Sequence, residues 1–141
     1  MTDHNPTLIF AAALSLLAAL AHLWCIHQGP AGYRLLGAGE RMVRAAEKGR
    51  KFPTLITLFI AAVLTVWASY ALSGARVIGP LPLLRPALCL ITLVYLLRGI
   101  LGPLLLRHTG HSTRFITVSS LICTGYGLVH LLGLAQVWNR I

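Results

Sequence analysis

Arg98 stands inside an apolar run covering residues 86–107, and neither this run nor any other apolar stretch of the chain contains Asp or Glu. A guanidinium keeps its charge in a protein, so in a low-dielectric setting it must snorkel to headgroups, reach water or find an acceptor. The acids of the chain are Asp3, Glu40 and Glu47. Arg98 therefore has three classes of partner: Glu40 or Glu47, backbone carbonyls, or an anion from outside the chain. It lies about 14 residues, or ~21 Å, from the outer, N-terminal end of its helix, and His22 sits at a similar depth in the first run. Arg98 and His22, with Arg34, Arg41, Lys48 and Glu40 from the segment joining the first two runs, are the candidates for holding an anionic lipid headgroup. Tyr95, Tyr126 and His130 are the candidate polar residues of the interior, able to line a path for an anionic or lipid-like small molecule.

Other chemistries lack their parts. His108 and His111 form a His-x-x-His in a short link, with no acidic or Cys neighbour to complete a metal site. His22 and His130 lie at different depths, which argues against one haem ligated by both. Ser119 and His130 are eleven residues apart on one run, too far for a nucleophile and its base, and no carboxylate is available to orient the base. Cys25, Cys89 and Cys123 fall one to a run, so a dithiol motif is absent and each reads as a small apolar residue. No metal, cofactor or nucleic acid is expected. Proton-coupled exporters of cations use an intramembrane Glu or Asp, and the apolar runs offer none.

The elements that must carry these residues follow from composition. Of 141 residues, 57% are hydrophobic and 11% charged, well outside the range of a soluble domain. Four apolar runs, at about 7–27, 53–73, 86–107 and 115–138, each reach the ~20 residues needed to cross a ~30 Å hydrocarbon core as a helix. Backbone in lipid must satisfy its hydrogen bonds internally, which predicts an all-α integral-membrane four-helix bundle, one domain over residues 1–141. Pro6 and Pro53 occupy first helical turns, where the missing N–H costs nothing. The first run is preceded by no Lys or Arg and ends without a small-x-small cleavage pattern, so it reads as a retained helix.

The net charge of +9 is topological. The link between the first two runs carries Arg34, Arg41, Arg44, Lys48, Arg50 and Lys51, and that between the last two carries Arg107 and Arg114. Arg76, Arg85 and Arg140 are on the opposite side. The positive-inside rule then puts both basic links in the cytoplasm and both termini outside. Compactness, the absence of targeting signals and the Ala/Leu/Arg content assign the membrane to a bacterium, as its inner membrane.

Laid on a helix, residues 33–48 gather Leu35, Leu36, Gly39, Met42, Val43 and Ala46 in one arc of ~120°. Arg34, Arg41 and Lys48 repeat every seven residues along one border, and Glu40–Arg44 and Glu47–Lys51 are i, i+4 pairs. The pattern predicts an amphipathic helix lying in the membrane interface, its basic border toward lipid phosphates. Small or polar stripes (Ala11, Ser15, Ala18, His22 and Cys25; Thr57, Ala61, Thr65 and Ala68; Ser119, Cys123, Tyr126 and His130) should face neighbouring helices. Taken together, the residues lead to a non-enzymatic accessory or scaffold protein touching anionic lipid at the cytoplasmic leaflet, self-associating or bound to a larger membrane partner. The rival is a carrier using Arg98 and His22; a third reading is an enzyme acting on a lipid headgroup.

Overall fold

The computed structural model describes residues 4–141, so Asp3 lies outside it. The chain forms α1 (Pro6–Gln28), α2 (Pro30–Leu35), α3 (Glu40–Glu47), α4 (Phe52–Gly74), α5 (Leu84–Leu106) and α6 (Thr113–Val137), closed by a 3-10 turn at Trp138–Arg140. Starts and stops have local causes. The Asn5 side chain accepts the N–H of Leu8 at 2.8 Å, and Pro6 opens α1 behind this cap. Gly29 ends α1, donating its N–H to the carbonyls of Cys25 and Ile26, and Pro30 starts α2 at once. Ser112 caps α6 by accepting the N–H of Phe115 at 3.2 Å. α5 continues through Gly99, Gly102 and Pro103 to Leu106.

α1, α4, α5 and α6 are each long and apolar enough to cross a membrane, and the chain is a multi-pass membrane protein. A helix of 23 residues spans ~35 Å, slightly more than the ~30 Å hydrocarbon core. Around the bundle the order is α1, α4, α5, α6, with α6 closing on α1. Sequential helices are therefore neighbours and run antiparallel. In lipid the interior gains little from apolar burial alone, so close approach of small residues carries the packing. At the end holding both termini, Leu8 inserts among Ala11, Ala12, Ala68, Ala71, Ala75 and Val137. Half-way along, Ala19, Ala61, Leu64 and Ile91 surround Tyr95. At the opposite, basic end Cys25, Tyr33 and Val43 tie α1 to α2 and α3. The three stripes face inward as expected, apart from Thr65, which is exposed and donates to its own-helix carbonyl at Ala61.

The single interfacial helix expected over 33–48 is instead two helices, broken at residues 36–39. Gly37 and Gly39 carry φ of +65° and +90°, the left-handed region that other residues rarely adopt. Gly37 lies on the Phe115 side chain, where an added Cβ would stand 2.7 Å from Phe115 Cβ. The break thus folds the segment back onto the start of α6. It also dissolves the expected arc: Val43 is 5% exposed and Leu35 is 75% exposed. Arg34 leaves the row with Arg41 and Lys48 and pairs across the break with Glu47, in place of the expected Glu47–Lys51 contact. Glu40 and Arg44 form their i, i+4 pair at 3.4 Å.

Candidate functional site

At one level of the bundle all four long helices contribute a polar or aromatic group. Tyr95 on α5 is the centre. Its hydroxyl is 3.0 Å from Ser15 Oγ on α1. Its ring meets Trp67 of α4 and Tyr126 of α6 edge to face, at 5.0 and 5.6 Å between centroids, and lies 5.1 Å from His130. His130 is 1% exposed, and its Nδ1 is 2.9 Å from the Tyr126 carbonyl. A carbonyl only accepts, so Nδ1 carries the proton, leaving Nε2 buried without a partner. His22 repeats the device, donating from Nδ1 to the Ala18 carbonyl at 2.7 Å. Tyr95, Tyr126 and His130 therefore come together. Ser15 and Trp67 complete the cluster; the first was visible in its stripe, and Trp67 follows Leu64 by three residues on the inward face.

Arg98 and His22 are not brought together: among the described residues neither bonds the other, nor does Arg98 bond Glu40 or Glu47. Arg98 Nη2 donates to Ser119 Oγ on α6 at 3.1 Å. A helical Cβ tilts toward the N-terminus, yet the guanidinium reaches the other way. A Cβ on Gly102, one turn nearer the basic end, would lie 2.5 Å from Arg98 Nη1. Beyond it lies the α5–α6 link, where His111 stacks on Phe115 at 5.1 Å and shares a 2.6 Å hydrogen bond with Thr109 Oγ1.

His111 has its pKa lowered from the ordinary 6.5, first by burial and then by the positive charge of Arg98. As pH falls through 6.5 the unfolded chain takes up a proton that the docked link resists, so stability present above 6.5 is lost toward lower pH. Backbone amides of residues 107–112 are expected to exchange faster, relative to intrinsic rates, at about pH 5.5 than at about pH 7.5. His111→Gln should remove that difference; a parent chain with equal protection at both pH values would exclude the effect.

A concavity lies at the basic end. A groove of about 650 Å³ is lined by Glu40, Arg41, Arg44, Lys48, Arg50 and Phe52, with Thr109 and Gly110 of the α5–α6 link on its far wall. That volume lies in the range that takes small-molecule ligands and headgroups. Arg41 lies over the Phe52 ring at 5.8 Å to its centroid, which fixes one cation at the floor. Of the sequence candidates, Glu40, Arg41 and Lys48 meet here. Arg44 and Arg50 join them, and Arg34 lies in a smaller adjoining recess. Arg44 was legible as the partner of Glu40; Arg50 follows Gly49, whose φ of +66° turns the chain back toward α4. At the other end Arg85 donates to the carbonyls of Trp138 and Ile141 and lies over the Trp138 ring at 4.9 Å. It neutralises the carbonyl end of α6.

Comparison with protein-family models, curated proteins and solved structures finds no match to this chain.

Proposed function

We propose that this multi-pass membrane protein is a non-enzymatic accessory protein that holds anionic lipid at the cytoplasmic leaflet of a bacterial inner membrane. One observation carries the reading: Arg41, Arg44, Lys48 and Arg50 converge on a single groove whose only carboxylate among the described residues, Glu40, is already engaged by Arg44. Each such cation contributes about 1 kcal/mol of attraction near an anionic surface. The groove opens at the end where basic residues concentrate, which the positive-inside rule assigns to the cytoplasm, both termini lying outside. Phe52 at its floor suits the headgroup level, where aromatic rings anchor helices. The exposed apolar faces of the four long helices leave room for a second copy or a larger membrane partner in the bilayer plane.

Native mass spectrometry of protein released in gentle detergent tests the reading. With phosphatidylglycerol and phosphatidylcholine supplied together, the parent is expected to carry predominantly phosphatidylglycerol. The combined substitution Arg41→Gln, Arg44→Gln, Lys48→Gln and Arg50→Gln should reduce that preference roughly tenfold or more. Equal occupancy by both lipids in the parent, or an unchanged preference in the four-glutamine variant, would sink the proposal.

A further inference from the structure

The lining of the basic groove carries more charge than one phosphate brings. Arg41, Arg44, Lys48 and Arg50 stand against the one carboxylate of Glu40, four cations to one acid and a net of +3. The cations are also spread out. Arg41, Arg44 and Lys48 follow one face of α3 and its C-cap at spacings of three and four, over ~10 Å of helical rise. Arg44, in the middle, is the one that Glu40 engages. The uncompensated charge therefore sits at two ends, Arg41 at one and Lys48 with Arg50 at the other. α4 opens at Phe52 without a side-chain cap, so the positive end of its dipole lies at the same mouth.

A phosphodiester brings one negative charge and two free oxygens on one phosphorus. Seated at either end of the row, it leaves most of the excess charge unmatched. Two phosphodiesters bridged by a short polyol bring twice the charge and reach both ends. Arginine suits such an occupant, because a guanidinium meets phosphate through two parallel N–H donors. Room is present: the groove encloses about 650 Å³, enough for a whole headgroup. Its rims favour lipid over a soluble anion. Phe52 and Leu55 in the first turn of α4, and Leu104 and Leu105 in the last turn of α5, are exposed apolar side chains. α4 and α5 also touch each other less than any other neighbouring pair of the bundle. Acyl chains leaving the groove thus find an apolar wall on both sides.

We propose that the groove seats the headgroup of a lipid with two phosphodiesters, one held toward Arg41 and the other toward Lys48 and Arg50. Its acyl chains run along the start of α4 and the end of α5. The ligand class is that of cardiolipin, two phosphatidyl groups bridged by glycerol, and the assignment rests on the groove holding anionic lipid. Basic pockets between membrane helices on the cytoplasmic side suit such headgroups.

Native mass spectra of the parent are recorded with cardiolipin, phosphatidylglycerol and phosphatidylcholine supplied together, with twice as much phosphatidylglycerol as cardiolipin so that the anionic phosphate is equal. One cardiolipin per protomer is expected, retained roughly tenfold over phosphatidylglycerol. Arg41→Gln and Lys48→Gln each remove one end of the row, and both positions are exposed, so the fold survives. Each should bring the preference for cardiolipin over phosphatidylglycerol down to about one, while phosphatidylglycerol stays ahead of phosphatidylcholine. Cardiolipin held as strongly by both variants, or by the four-glutamine variant, would mean that the apolar faces select its four chains, and overturns the seat. Inorganic pyrophosphate, two linked phosphates without chains, is then added at the concentration of the lipid. Displacement of cardiolipin by it overturns the lipid assignment in favour of a soluble anion. A parent that prefers phosphatidylglycerol to phosphatidylcholine but holds cardiolipin no better than phosphatidylglycerol overturns the two-phosphate seat alone, leaving the function proposed for the groove intact. A parent indifferent to all three lipids removes both.

Discussion

Gly99→Ala is expected to lower the stability of the bundle by about 1–3 kcal/mol, and Gly99→Val to keep α5 and α6 from pairing at all. A Cβ at 99 would stand 2.6 Å from the Thr124 backbone nitrogen and 2.9 Å from Thr124 Cα. The obstacle is main chain, so no rotamer relieves it and the two helix axes must separate. Separation would spread along the whole interface, because Gly127 is seated on the Leu96 side chain just beyond. Gly125→Ala is the matched control: it lies on α6 with nothing within 4 Å of its added Cβ. Equilibrium unfolding in bicelles reads both. A Gly99→Ala chain as stable as Gly125→Ala would show that the glycine seat carries no weight.

Tyr95→Ala carries the other large effect, a loss of about 3–5 kcal/mol. The ring touches Trp67, Tyr126 and His130 at once, so truncation removes contacts with α4 and α6 together. Tyr95→Phe keeps the ring and deletes only the 3.0 Å bond to Ser15, for which about 1 kcal/mol is expected. The pair separates packing from hydrogen bonding. A cycle with Ser15→Ala should return a coupling of roughly 0.6 kcal/mol. If Tyr95→Phe cost as much as Tyr95→Ala, the cluster would be held by its hydrogen bond and the packing account would fall.

The spans were legible to within two residues at each end, because hydrocarbon thickness, first-turn prolines and the Ser112 cap act locally. Inward stripes were legible for the same reason, a helical period in a chain whose outward face must be apolar. The segment between α1 and α4 was not. Its seven-residue charge row resembles one continuous helix, and what breaks it is a tertiary contact, Gly37 on Phe115, between residues far apart in sequence. Gly37 and Gly39 were the available signal, but a glycine in a helical pattern is informative only once its neighbour is known. The groove suffered likewise: Arg41 and Lys48 stood out by spacing, while Arg50 and the wall from Thr109 and Gly110 depend on that same fold-back. Arg98 was legible as an anomaly. Its bond to Ser119 was not, since the crossing of α5 over α6 is set by Gly99 and Gly102.

The fold-back sets an order on biogenesis. Gly37 rests on Phe115, a residue made 78 positions later. At ~5–20 residues per second, the Phe115 seat for the break between α2 and α3 does not exist until roughly 4–16 s after Gly37 has been synthesised. During that interval α1 and α4 can already span the bilayer, and the basic segment between them can rest on α1 through Cys25, Tyr33 and Val43 while its glycine break has no seat. The segment is thus among the first parts of the protein to reach the membrane, and its break is among the last to be fastened.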